Sequence, residues 1–181
     1  VYLYLYINHL YLMTSYSISK RNSRFQSIAT NMAKKSKIKN KHGSIITHGN
    51  KVYAIGLNNC RTTFLGKNDF CQHAEMAAAT QFINKYVKCK SNKFSRNKMK
   101  CKYSLINTKE YSNKYNLKKF TVWCVRIPNN KFEKKQNSMS APCYICLKRL
   151  QCFGFGKIAF SNEKGEIEIH KLKTYKTKHL S

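Results

Sequence analysis

Residues 120–127 read FTVWCVRI, a run of β-branched and aromatic side chains broken only by Cys124 and Arg126. Such a run suits a strand buried inside a sheet, and a strand buried on both faces needs other elements packed over it. The flanking sequence supplies them. Upstream, HAEMAAATQFINKYVK is alanine-rich and sets Met76, Ala79, Phe82, Ile83 and Tyr86 on one side of a helix. Downstream, Pro142 is placed to open a helix, because a proline at the first helical position lacks only an N–H that had no partner there. That helix runs to about Phe153, with Gly154 as its C-cap.

The remaining segments complete the pattern. A helix is expected over Arg24–Lys35, where Phe25, Ile28, Ala29 and Met32 share a face. Ser44–His48 and Lys51–Leu57 read as a hairpin closed by a turn at Gly49-Asn50. KIAFS (157–161) is a strand, NEKG a turn, and EIEIHKL alternates as a half-exposed edge strand. A parallel partner needs a crossover of about a dozen residues, so the short NEKG link forces the last two strands into an antiparallel hairpin. The order α-β-β-α-β-α-β-β predicts an α/β fold, a three-layer α/β/α sandwich around a mixed five-stranded sheet. Residues 88–119, thick with Lys, Asn and Ser, read as a basic low-complexity insertion within a domain spanning 24–172, followed by a basic tail at 173–181.

Residues 1–23 form an N-terminal extension. Its apolar stretch VYLYLYINHLYLM is shorter than the roughly 20 residues a membrane-spanning helix takes. It also lacks the basic region and cleavage site of an export signal. Tyr2–Tyr6 could pair as an amphipathic edge strand, and Met13 is the expected start of translation. No membrane association is expected. The 8 cysteines of a chain without an export signal are expected as reduced thiols, in a cytoplasmic or nuclear setting.

The charge balance, 35 Lys+Arg against 7 Asp+Glu for a net +28, has two readings. It favours polyanions such as RNA or DNA. Lysine here also travels with asparagine, isoleucine and tyrosine, residues that share A/T-rich codons, so a biased genome would produce the same composition.

Two short stretches carry chemistry. CQHAEM places His73 and Glu75 at the start of the second helix, and APCYIC places Cys143 and Cys146 at the start of the third. Alone, Cys143 and Cys146 could be a metal clamp, a redox pair or small core residues. One imidazole and two thiolates together suit Zn²⁺, and three protein ligands leave a fourth position free, as in catalytic zinc sites. Cys143 and Cys146 are i, i+3 in a first turn, where the positive end of the helix dipole stabilises thiolates. Cys60, Cys71, Cys89, Cys101, Cys124 and Cys152 are expected as free or buried thiols, Trp123 as core, and His42, His48, His170 and His179 as surface residues.

The pair of motifs, in this order, resembles the H-x-E…P-C-x-x-C signature of the zinc-dependent cytidine/deoxycytidylate deaminase superfamily over roughly residues 24–172. The resemblance implies a cytidine-deaminase type of sandwich. It implies Zn²⁺ held by His73, Cys143 and Cys146, with Glu75 as proton carrier and Asn58 as a contact to the nucleoside. The implied reaction is hydrolytic deamination of a cytosine-type nucleoside or nucleotide with release of ammonia, by a homo-oligomer. The F-N-x-E pattern of free cytidine deaminases is absent, since Cys60 stands where its glutamate would be. An alternative is base editing in tRNA or single-stranded DNA or RNA, or polynucleotide binding on the same scaffold, with Lys93, Lys98, Lys100 and Lys102 on phosphates.

Overall fold

The computed structural model describes residues 19–64, 67–68, 71–87, 116–128 and 138–179. The first helix, α1 (Lys20–Lys34), starts four residues before the expected Arg24 because the Ser19 side chain caps it, accepting from Asn22 N–H at 3.3 Å. Its buried residues are Phe25, Ala29, Thr30 and Ala33. The buried stripe therefore centres on Ala29 and Ala33, and Met32 stays half-buried at its margin. The cause lies beneath it. α1 crosses the sheet over Gly43, where an added Cβ would run into the Ala29 carbonyl and the Ala33 amide, so only small residues fit along that row.

The strands β1 (His42–His48) and β2 (Lys51–Leu57) form the expected hairpin, with Gly49 at φ 57° in its turn. β1 starts two residues earlier than expected because His42 pairs with the end of the buried strand β3 (Thr121–Arg126). β4 (Lys157–Ser161) and β5 (Ile167–Lys171) complete one five-stranded sheet in the order β2-β1-β3-β4-β5. β3 and β4 are parallel and every other neighbouring pair is antiparallel, so the sheet is mixed and its last two strands are a hairpin, as expected.

A bulge between Ile46 and Thr47 leaves Tyr53 unpaired on β2. Its ring packs on Tyr86 and Phe120, at centroid distances of 5.5 and 5.1 Å.

Helices cover both faces. On one side α1 packs on Ile45, Trp123, Val125 and Ala159, with Trp123 Nε1 donating to Thr47 Oγ1 at 2.9 Å, so Trp123 is core as expected. On the other side lie α2 (Ala74–Phe82) and α3 (Tyr144–Phe153), packed over Ile46, Ala54, Val122, Cys124, Ile158 and Phe160. The α-helix of α2 stops at Phe82 and continues as a π-helical turn over Ile83–Val87, where one regular helix was expected. The wider turn sets Tyr86 against Phe82 and Tyr53.

Pro142 does not open α3: it precedes the N-cap residue, Cys143, by one position. Gly154 is the C-cap in the left-handed conformation, φ 83°. Ahead of β3, Leu117 is buried in a 3-10 turn (Leu117–Lys119), so the segment read as insertion rejoins the core there. Tyr2–Tyr6, Met13 and the lysines at 93, 98, 100 and 102 lie outside the described residues. Among the described residues no helix is long and apolar enough to cross a membrane.

α2 crosses β2 at Gly56, where a Cβ would meet the backbone amide of Ala78. Gly56→Ala is expected to push α2 off the sheet, lowering stability by about 1–3 kcal/mol. Urea denaturation checks this, and an unchanged midpoint would refute the close contact.

Candidate metal centre

β3, β4 and β2 all point their C-terminal ends to one edge of the sheet, and both α2 and α3 start from that edge. On the face under these helices the apolar core gives way there to polar groups: Ser44, Cys124, Asn58 and the loop serines.

His73 is the N-cap residue of α2 and makes no side-chain cap bond. Its neighbour Gln72 is buried and joins Asn59 in an isolated bridge, with both backbone N–H···O bonds at 3.1 Å. This bridge ties the end of β2 to the start of α2 and aims His73. Cys143, the N-cap of α3, accepts from Cys146 N–H through Sγ at 3.5 Å. The two thiols, at the N-cap and three residues on, lie on one side of the same first turn, and both face His73.

His73 Nδ1 lies 3.5 Å from Cys143 Sγ and 3.3 Å from Cys146 Sγ, and the three ligand atoms all fall within 4.8 Å of one another. Tetrahedral zinc with ordinary bond lengths would set nitrogen and sulfur about 3.6 Å apart. The donor set and the spacing both fit zinc. Cys143 is held as thiolate down to about 3, chiefly because Cys146 donates to it, with His73 also helping. Cys146 as donor is pushed up by the same bond and by burial. A metal cation would replace that proton and serve both sulfurs.

Glu75 is in the first turn of α2 and is 5% exposed. Burial pushes its pKa up, while nearby His73 lowers it. The Cys124 thiol on β3, itself buried and pushed up by burial, hydrogen-bonds the Glu75 carboxylate. A buried carboxyl group whose pKa is raised takes up a proton more readily than an ordinary carboxylate would, which suits proton transfer. Beside it, Ser44 pairs across the sheet with Cys124, and its buried hydroxyl has no partner among the described residues.

The loop into Cys143 is pinned by serines. Ser140 Oγ donates to the Cys124 carbonyl at 2.7 Å and accepts from Ser161 N–H at 2.9 Å, and Ser140 N–H donates to the Ser161 carbonyl at 2.8 Å. At the other end of α3's first turn, Tyr144 N–H donates to the His179 carbonyl at 2.9 Å.

Asn58 is buried at the same edge. Its Oδ1 accepts from His42 N–H at 2.8 Å and its Nδ2 donates to the Asn40 carbonyl at 2.6 Å, leaving one N–H and one lone pair of the amide. His42, expected on the surface, is half-buried against this cluster. Its Nδ1 lies 3.1 Å from the Asn40 carbonyl, and burial pushes its pKa down to about 4, with Arg126 and His73 lowering it further. His48 and His179 are exposed as expected, whereas His170 is half-buried and stacks on Phe160 at 5.5 Å. Cys60 and Cys152 are exposed free thiols, Cys71 is half-buried, and Cys89 and Cys101 lie outside the described residues.

Sequence reasoning missed Cys124, Ser44, Gln72, Ser140 and His42. For the strand residues a signal existed. Alternation from the core positions Ile46 and Val122 leads along the same face to Ser44, His42 and Cys124. The loop serines carried no pattern.

No protein-family model matches the chain, and no curated protein does. Among solved structures it is similar to the dCMP deaminase of cyanophage S-TIM5 in apo form, at 16% identity and a TM-score of 0.44, covering 78% of this chain and 82% of that one. The same enzyme in complex with dCMP and dUMP gives 15% identity and a TM-score of 0.45 over 80% and 83% of the chains. Cytidine deaminase from Burkholderia pseudomallei gives 14% identity and a TM-score of 0.46 over 88% and 94%.

The folded His42 titrates near 4 against an ordinary 6.5, so in that window the unfolded chain takes up a proton that the folded chain refuses. Stability is expected to fall by up to about 3 kcal/mol as pH drops through the window. Urea midpoints of wild type and His42→Gln across this range test it. The variant should lose that part of the slope, and parallel pH profiles would contradict the assignment.

Proposed function

We propose that the chain is a zinc-dependent hydrolytic deaminase acting on a cytosine-type nucleoside or nucleotide. The observation that carries this reading is the approach of His73 Nδ1 to both Cys143 Sγ and Cys146 Sγ, with the buried Glu75 carboxyl beside them. His73, Cys143 and Cys146 would hold the zinc, leaving one coordination position for a small ligand. Bound there, the ion would supply the charge that brings a water toward ionisation near neutral pH.

The protein's own groups do the rest. Glu75 accepts the proton lost by the attacking water and carries it to the ring nitrogen beside the amine-bearing carbon; as the carbonyl forms, it takes the proton of the added hydroxyl and gives it to the amine, which leaves as ammonia. Its raised pKa suits this, because a strongly acidic carboxylate would not take the proton up. Cys124 keeps the carboxylate turned toward the centre. Asn58 would use its remaining amide N–H and lone pair on the nucleoside. Burial of Glu75 and Cys146 keeps bulk water away from the reacting atoms.

The direct test is ammonia release from cytidine, CMP and dCMP by the zinc-loaded protein. Glu75→Gln keeps the shape but cannot shuttle the proton, so it should bind a full complement of zinc and lose about 10²–10⁴-fold in kcat. Undiminished turnover in Glu75→Gln, or zinc far below one per chain in wild type purified without chelator, would overturn the reading.

A further inference from the structure

The segment after β5, read from sequence as the start of a basic tail, is tied along α3 from one end of the helix to the other. Leu172 is buried, and its N–H donates to the Gly156 carbonyl at 2.9 Å. The side-chain amide of Gln151, near the C-terminal end of α3, donates to the Leu172 carbonyl at 2.8 Å and to the Tyr175 carbonyl at 3.3 Å. The Tyr175 ring packs on Phe160 and His170, at centroid distances of 5.4 and 4.9 Å. Further on, the His179 carbonyl accepts from Tyr144 N–H at 2.9 Å.

Tyr144 is the first residue of α3, directly after the N-cap Cys143. An N–H at this position has no acceptor within its own helix. In the same turn, Cys146 N–H is met by Cys143 Sγ at 3.5 Å. These two bonds hold the turn that carries both sulfurs, which lie 3.5 and 3.3 Å from His73 Nδ1. A helix end without such partners frays, and fraying here would draw Cys143 away from Cys146. The connection has little slack. From Gln151 to Tyr144 the helix rises about 10 Å, and the chain from Tyr175 to His179 reaches at most about 14 Å.

We propose that residues 172–179 are a positioning strap for the metal ligands: the His179 carbonyl closes the first turn of α3 and keeps the Cys143 and Cys146 sulfurs at the spacing that receives the ion. For the ion itself this rests on the metal reading above.

Tyr144→Pro removes the donor with little other disturbance. Proline is favoured at the first helical position, and Cys143 before it is already extended, at φ −67° and ψ 162°, as a following proline requires. The Tyr144 side chain is 49% exposed, and Tyr144→Ala controls for its loss while keeping the N–H. Gln151→Ala loosens the strap from its other end and leaves the first turn of α3 untouched.

Two readouts on the full chain test the strap. One is zinc affinity by competition with a chromophoric chelator. The other is the rate at which iodoacetamide alkylates the buried Cys146 in metal-free protein, followed by peptide mass spectrometry. Relative to Tyr144→Ala, Tyr144→Pro should weaken zinc binding roughly 3- to 10-fold, the worth of one hydrogen bond, and speed the alkylation by a similar factor. Gln151→Ala should move both in the same direction. A loss of global stability alone would lower the urea midpoint and leave both readouts of the folded protein where they were.

Tyr144→Pro matching Tyr144→Ala in both readouts would overturn the strap. Should Tyr144→Pro fail to fold, an unchanged Gln151→Ala would overturn it instead. The readouts also separate this from the metal reading. Faster Cys146 alkylation in Tyr144→Pro, with no zinc bound by wild type, would keep the strap and remove the metal. One zinc per wild-type chain, with both readouts unmoved by the substitutions, would do the reverse.

Discussion

Because β3 and β4 run parallel, the chain must cross from the end of one to the start of the other, and α3 is that crossover. The crossover starts at the C-terminal edge of the sheet. β2 runs in the same direction as β3, since each is antiparallel to β1, and so α2 also starts near that edge. Two helix N-termini then meet over one end of the sheet, and each presents from its N-cap position a side chain of a type able to bind a metal. The juxtaposition of His73 with Cys143 and Cys146 follows from strand direction. The two glycines under the helices allow the close approach: Gly43 beneath α1 and Gly56 beneath α2.

The centre works against the tendency of a core to exclude charge. Cys146 and Glu75 are buried, and each is pushed toward its neutral form. Cys143, at the helix start and with a donor beside it, is pushed the other way. A divalent cation there would satisfy both sulfurs. Around it the polar groups are tied to backbone: Asn58 to Asn40 and His42, Ser140 to Cys124 and Ser161, Gln72 to Asn59. Among the described residues Ser44 Oγ and Arg126 Nε are the exceptions, on the same sheet face as Cys124.

Much of the architecture was legible because local rules agreed with the tertiary outcome. The continuous apolar run around Trp123 announced a buried strand, the four-residue turn at Asn162–Gly165 forced the final hairpin, and Gly154 ended α3 where a left-handed residue was needed. The two motif halves could be assigned to helix starts from sequence for the same reason. The failures came where a capping side chain or a close packing contact, rather than periodicity, decided. Ser19 extended α1, Gly43 moved its buried stripe to Ala33, and Cys143 displaced Pro142 from the helix because the thiol takes the cap. His42 looked like one more polar residue in a basic stretch, and only its pairing with Arg126 brings it under the site.

The sequence by itself determined the order of elements, the hairpin that closes the sheet, and the residue types able to bind a soft cation and move a proton, because periodicity, turn length and ligand chemistry are local properties. Tertiary structure decided what surrounds those residues. Cys124 meets Glu75, Asn40 gathers His42, Asn58 and Arg126, and the serines clamp the loop into Cys143, through contacts that in most cases join different segments of the chain. Such contacts depend on strand register and on which face each side chain takes, and a shift of one residue would exchange every one of them for its neighbour.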